Sequence, residues 1–213
     1  MSETNVFIDL LFSKPVYGKY LNIDTKKIVS ILEEYDFHDA GNPDLQTDTD
    51  NISSQSDSLY VLKDKRFKFL KDELMKEFHL FASDTMKYSN KFEITTSWFT
   101  KSTKGQSSTF HNHNNCMLSG VLYLQTNENS GNISFEDFSN KRYLMRTKEY
   151  NELNSIAWRI KPVDGLLLIF PSEVYHKVEE NESDIKRYSL SFNFVPTGLI
   201  GYGDSQCHLN INK

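Results

Sequence analysis

The densest group of chemically capable side chains is His111-Asn112-His113-Asn114-Asn115, immediately ahead of the apolar run from Met117 to Leu124. On an extended chain, residues two apart face the same way with Cα atoms roughly 7 Å apart, so His111 and His113 can converge on one metal ion. A third histidine, His176, lies within Phe170-Pro-Ser-Glu-Val-Tyr-His-Lys-Val. A lone histidine is ordinarily a surface or core residue with satisfied hydrogen bonds. An HxH pair at the entrance of a strand, joined by a strand-borne third histidine, points instead to metal binding. Cys116 adds the possibility of His-x-x-Cys zinc coordination, but no second cysteine or histidine completes that spacing locally, and a buried structural thiol is expected. His38 and His79, in a helical preface, and His208, in a polar tail, are expected to face solvent.

A second pattern is Arg187-Tyr-Ser-Leu-Ser-Phe-Asn-Phe. Arg187, Ser189, Ser191 and Asn193 alternate with Tyr188, Leu190, Phe192 and Phe194. One face of such a strand packs on a core. The other either meets solvent, as antiparallel sheets commonly allow, or lines the interior of a barrel. In the second case Arg187 and Ser189, neighbours on one face, can hold a carboxylate through a guanidinium fork and a hydroxyl. The alternation leaves both readings open.

These residues need elements to carry them. Asp24 can cap a helix whose apolar residues Ile28, Ile31, Leu32 and Tyr35 fall at helical spacing. A longer helix is expected from about Asp64 to Tyr88, with Phe67, Leu70, Leu74, Phe78 and Phe81 on one stripe. His38 to Ser58 is polar and turn-rich and reads as a long surface loop. After residue 90 the texture changes to short runs rich in β-branched and aromatic residues: 91–99, 117–125, 131–135, 156–160, 165–170, 174–178 and 187–195. Gly, Asn, Asp or Pro punctuates most of the gaps. Seven such strands after a helical preface predict a mainly β core, a sandwich or barrel, with helices packed on one side. Residues 138–155 form a charged insertion. The chain is read as one domain over 1–213, with a helical part at 1–90, a core at 91–196 and a tail at 197–213.

Composition narrows the class. With 213 residues, 38% hydrophobic and 25% charged, the chain suits one globular core. No apolar run approaches the ~20 residues of a membrane-spanning helix, so no membrane partner is expected. The start, Met1-Ser-Glu-Thr-Asn, has no basic n-region and does not read as a secretory signal. Two cysteines, Cys116 and Cys207, give no disulfide framework, and a cytoplasmic home is expected. A net charge of −5 argues against nucleic acid as the partner.

Taken in order, His111-x-His113, Leu118-Ser-Gly-Val-Leu-Tyr-Leu, Ser130-Gly-Asn-Ile-Ser-Phe-Glu-Asp, Pro162-x-x-Gly165, Phe170-Pro-Ser, His176-x-Val178 and Arg187-x-Ser189 resemble the Fe(II)- and 2-oxoglutarate-dependent oxygenases. The closer resemblance is to a branch found in bacteria and their phages, which for a phage-encoded chain implies the host cytoplasm. It covers residues 92 to 195, with a weaker echo from Leu11-Phe-Ser-Lys-Pro-Val-Tyr onward. The resemblance implies a double-stranded β-helix (jelly roll), Fe(II) held by His111, His113 and His176, and 2-oxoglutarate as co-substrate. Arg187 and Ser189 would hold its distal carboxylate, and the enzyme would be a dioxygenase hydroxylating a C–H bond of a prime substrate.

One departure from the superfamily pattern is evident. His113 stands where His-x-Asp/Glu would place the carboxylate of a facial triad. Either three histidines hold the metal, or Asp137 or Glu136 completes the site. The resemblance also gives Tyr123 a place near the co-substrate carboxylate, although a tyrosine there is more often core with its hydroxyl satisfied at the rim. Trp98 could wall the site, with core the better expectation. Asn112, Asn114 and Asn115 either orient the imidazoles or shape the turn. Two other readings stand beside the oxygenase: a non-redox, zinc-type three-histidine site, and a non-catalytic binding or structural jelly roll. Substrate choice is expected to lie in loops 38–58, 100–110 and 138–155.

Overall fold

The computed structural model describes residues 8–10, 12–40, 51–137, 146–201 and 203–210. Helix α1 (Thr25–Leu32) begins where Asp24 accepts a hydrogen bond from the Lys27 amide, and it buries Ile28 and Leu32. Helix α2 (Lys68–His79) is shorter than the periodicity predicts. Two separate 3₁₀ turns, Val61–Lys63 and Lys65–Phe67, precede it because Asp64 between them is extended and caps Arg66. A wide turn, Leu80–Thr85, follows it. The expected stripe nevertheless holds, with Phe67, Leu70, Leu74, Phe78 and Phe81 all buried.

All seven expected strands form. They are β4 (Lys91–Ser102), β5 (Leu118–Gln125), β6 (Ile133–Glu136), β7 (Ala157–Ile160), β8 (Leu166–Pro171), β9 (Tyr175–Val178) and β10 (Arg187–Ile200). Four more lie outside the expectation: β1 (Tyr17–Tyr20), β2 (Phe37–Asp39), β3 (Ser54–Ser56) and β11 (Cys207–Leu209). The segment read as a surface loop, 38–58, therefore contributes two short strands at one end of the large sheet, with β2 at its edge, while its residues 41–50 lie outside the described residues. Strand β3 carries no apolar alternation because its three side chains, Ser54, Gln55 and Ser56, are all polar. Ser56, fully buried, donates to the Ser58 carbonyl and accepts from the Phe99 amide.

Two antiparallel sheets result. The larger runs β1-β8-β5-β10-β4-β3-β2, with β11 added at the far end of β10, and the smaller runs β7-β6-β9. Strands β5 and β8 are buried on both faces, which explains their nearly unbroken apolar sequences. Leu122, Leu124, Leu167 and Ile169 meet the helices in one cluster with Phe78, Phe99, Leu190, Phe192 and Phe194. Val121, Tyr123, Leu166, Leu168 and Phe170 face the smaller sheet and pack with Ile133, Phe135 and Val174. The fold is a mainly β, two-sheet jelly roll with N-terminal helices alongside. Residues 146–155 form turns, and 138–145 lie outside the described residues. Among the described residues no helix is long and apolar enough to cross a membrane.

Candidate metal centre

His111 and His176 come together through an antiparallel bridge. Each backbone amide donates to the other's carbonyl, at 3.0 and 2.9 Å. His113, two residues on, is fixed by its amide donating to the Ser172 carbonyl at 2.9 Å. The three rings sit with centroids 4.4 to 5.3 Å apart. One nitrogen from each lies within 4.8 Å of the other two, and the group contains no carboxylate among the described residues. Glu136 pairs with Tyr175, whereas Phe135 pairs with His176, so Glu136 lies on the opposite face of the small sheet from the imidazole. Neither Glu136 nor Asp137 joins the cluster.

Backbone carbonyls, rather than Asn112, Asn114 or Asn115, orient two of the rings. Nδ1 of His111 lies 2.9 Å from the Thr109 oxygen, and Nδ1 of His176 lies 2.9 Å from the Val174 oxygen. A carbonyl only accepts, so each Nδ1 carries the proton and each Nε2 presents a lone pair. Burial, with His111 nearby, pushes His113 down to about 4 and His176 down to about 3. These imidazoles are neutral at neutral pH, as metal ligands must be. The donors fit a divalent cation.

The ring cluster forms one side of a cavity of about 490 Å³ between the two sheets. The polar face of β10 lines this interior rather than solvent, with Arg187, Ser189, Ser191 and Asn193 all on the wall. Arg187 is 3% exposed. Its Nη1 donates to the carbonyls of Ser130 and Glu179, and burial lowers its pKa from the usual guanidinium value. Gly131, with φ of +74°, lets the chain turn so that the Ser130 carbonyl meets this guanidinium. Tyr123 stands across from Ser189 in the β5–β10 register. Its hydroxyl, expected at the rim with a partner, is buried without one, and burial pushes its pKa up to about 12. A buried guanidinium whose partners are carbonyls thus stands in the same cavity as a hydroxyl without a partner.

Trp98, expected as core, is half-buried and walls the cavity, its ring centroid 6.1 Å from that of His113. Cys116 stays outside the ring cluster, and its thiol donates to the Ser172 hydroxyl at 3.1 Å. His38, His79 and His208 are exposed, as their positions predict.

The family profile described as "Putative 2OG-Fe(II) oxygenase" matches residues 96–193, a little under half of the chain. A prolyl-4-hydroxylase from Pseudomonas putida superposes with a TM-score of 0.60 at 15% identity, covering 88% of this chain and 96% of its own. HygX from Streptomyces hygroscopicus, with nickel and 2-oxoglutarate bound, superposes with a TM-score of 0.61 at 12% identity, covering 86% of this chain and 84% of its own. The fold is that of the 2OG-Fe(II) oxygenase superfamily. A family oxidoreductase from Burkholderia pseudomallei agrees at a TM-score of 0.53 and 10% identity, covering 80% of this chain and 77% of its own. No curated protein matches the sequence. Within this superfamily fold the chain carries a His-His-His triad in place of the His-Asp-His facial triad.

Sequence reasoning missed Gln55 on the cavity wall and left Thr96 and Thr100 unread. Thr96 and Thr100 alternate with core residues Ser97 and Phe99, a period-2 pattern that was open to view. Gln55 had no such signal, since its strand is three polar residues long.

Proposed function

We propose that the protein is a metal-dependent enzyme with a non-redox, zinc-type centre on His111, His113 and His176, working beside a pocket that binds a carboxylate. The observation that carries this reading is the donor set: three imidazole nitrogens face one another with no carboxylate among them. Neutral donors leave the ion its full charge, which favours water acidification and anion binding. A carboxylate in the set, as in the facial triad, suits ferrous iron and oxygen activation. When bound, the ion supplies Lewis acidity toward a water or carbonyl oxygen.

The chain's own residues do the remaining work. The carbonyls of Thr109 and Val174 hold the imidazole tautomers that aim Nε2 at the centre. Arg187, Tyr123 and Ser189 bind the anionic group, and Ile133, Phe170 and Val178 keep the pocket apolar around it. No Asp or Glu lines the cavity among the described residues, so none of them supplies a carboxylate base there.

One observation favours a second reading, the Fe(II)- and 2-oxoglutarate-dependent dioxygenase. The Arg187 guanidinium and the unpartnered Tyr123 hydroxyl suit the distal carboxylate of 2-oxoglutarate, and HygX, which shares the fold, holds that co-substrate with nickel. Succinate release separates the two readings. Protein loaded with Zn(II) or Fe(II) is incubated aerobically with 2-oxoglutarate. The zinc-type centre predicts bound 2-oxoglutarate and no succinate above the metal-free control with either ion. Sustained succinate formation with Fe(II) alone would transfer the conclusion to the dioxygenase.

A further inference from the structure

The side of the cavity formed by β4 and β3 has a chemistry of its own. Three cross-strand rows cover the cavity-facing side of the large sheet: Tyr123–Ser189–Thr100–Gln55, Val121–Ser191–Trp98 and Ser119–Asn193–Thr96. Directly paired residues share a face, so Gln55, Thr96, Trp98 and Thr100 form one outer border of the cavity. That border is hydroxyls and a carboxamide around one indole. Apart from Arg187, no Asp, Glu, Lys or Arg lines the cavity among the described residues.

The polarity of one of these rows is fixed from behind. The Cys116 thiol donates to Ser172 Oγ, and Ser172 and Ser119 hydroxyls lie 2.8 Å apart. Ser119 donates to Asn193 Oδ1 at 2.8 Å, and Asn193 Nδ2 donates to Thr96 Oγ1 at 3.0 Å. Each group uses its donor on the next, so the chain runs one way from Cys116 to Thr96. At its end Thr96 accepts, and its own proton is left to donate into the cavity.

We propose that this border binds the substrate, and that the substrate is an uncharged sugar ring. The apolar face of the ring stacks on Trp98, while its hydroxyl oxygens accept from Thr96 and exchange hydrogen bonds with Thr100, Gln55 and Ser191. With the Arg187 site filled by a carboxylate, a charged group placed here would lose water and meet no opposite charge, so the wall selects against it. The inference rests on the reading of the same cavity as a metal and carboxylate site, with the Trp98 ring centroid 6.1 Å from that of His113.

The test uses full-length protein loaded with Zn(II), saturated with 2-oxoglutarate so that the carboxylate site at Arg187 is filled, and carrying Trp158→Phe, so that indole fluorescence reports on Trp98 alone. The probes are glucose and N-acetylglucosamine (neutral), glucosamine (cationic), glucuronate (anionic) and N-acetylprolinamide (a neutral non-sugar). A saturable fluorescence change is expected with a neutral sugar, at least tenfold weaker with both charged analogues. Thr96→Val should weaken it about tenfold, and Thr96→Ser should restore it. Equal response to a charged analogue, response to N-acetylprolinamide alone, or no response to either neutral sugar overturns the inference. Zinc content measured on the same samples keeps the two readings apart. Zinc lost with sugar response retained counts against the metal centre only, and zinc retained with no sugar response counts against the sugar only.

Discussion

His111 and His176, 65 residues apart in sequence, exchange both backbone hydrogen bonds, and this bridge sets two imidazoles 4.4 Å apart. The geometry of the centre is therefore held by main chain, independent of any ion. Replacing one ligand side chain should remove metal without undoing the fold. His176→Ala is expected to lose stoichiometric zinc, measured by elemental analysis after dialysis, while its far-UV circular dichroism stays unchanged. Metal retained at wild-type stoichiometry would remove His176 from the ligand set.

Metal-free protein should lose stability as pH falls. The folded-state pKa values of His113 and His176 lie at about 4 and about 3, below the unfolded value near 6.5. Both groups are bases, so the unfolded chain takes up their protons first. The stability from keeping them neutral is complete above about pH 6.5 and falls as pH drops toward 4 and 3. Each histidine contributes at most about 1.4 kcal/mol per pH unit across that window. Urea denaturation between pH 4 and 8 checks this. His176→Leu should flatten the profile, and an unchanged profile would contradict burial of the neutral imidazole.

Tyr123→Phe should act in opposite directions on stability and on binding. Removing a buried hydroxyl without a partner relieves a desolvation cost of about 1–3 kcal/mol. Ligand-free Tyr123→Phe is expected to unfold at higher urea concentration than wild type, while its affinity for 2-oxoglutarate falls severalfold by calorimetry. Lower stability together with unchanged affinity would mean that the hydroxyl serves the empty fold.

Arg187→Ala should weaken 2-oxoglutarate binding to Zn(II)-loaded protein by at least 30-fold while zinc content holds. Loss of one partner in a buried, hydrogen-bonded charge pair typically costs about 2–5 kcal/mol. Arg187→Lys should recover part of the binding, since it keeps the charge and loses the fork. Equal affinity in wild type and Arg187→Ala, by calorimetry, would leave the pocket without its anion.

Gly131→Ala tests the support under that guanidinium. At φ of +74° an added Cβ would stand 2.4 Å from the Glu179 carbonyl oxygen, one of the two acceptors of Arg187. The substitution touches no metal ligand, yet it should reduce 2-oxoglutarate affinity and cost on the order of 1–3 kcal/mol of stability from backbone strain. Unchanged binding and stability would show that the turn yields without moving Arg187.

The sequence carried the strands wherever packing dictated it. The alternation from Arg187 to Phe194 is the pattern of a strand with helices on one side and a cavity on the other, and every even residue is buried. HxH spacing likewise implied two imidazoles on one side. What sequence could not carry came from partners distant in the chain. Strands β2 and β3 are polar and short, and they exist because β4 offers an open edge. Trp98 reads as core by its type, and it faces the cavity only because β10 pairs Ser191 opposite it. The choice between His113 and a nearby carboxylate depended on tertiary placement: the pleat of β6 turns Glu136 away from His176, and Asp137 stays outside the ring cluster.

The most direct test of the three-histidine centre is an anomalous-difference map from crystals of Zn(II)-loaded protein, recorded at the zinc edge. One peak is expected, about 2.0–2.2 Å from a ring nitrogen of each of His111, His113 and His176, through Nε2 in His111 and His176, with no carboxylate oxygen from the chain bound to it. A peak ligated by Asp137 or Glu136, or no peak between the three rings, would contradict it.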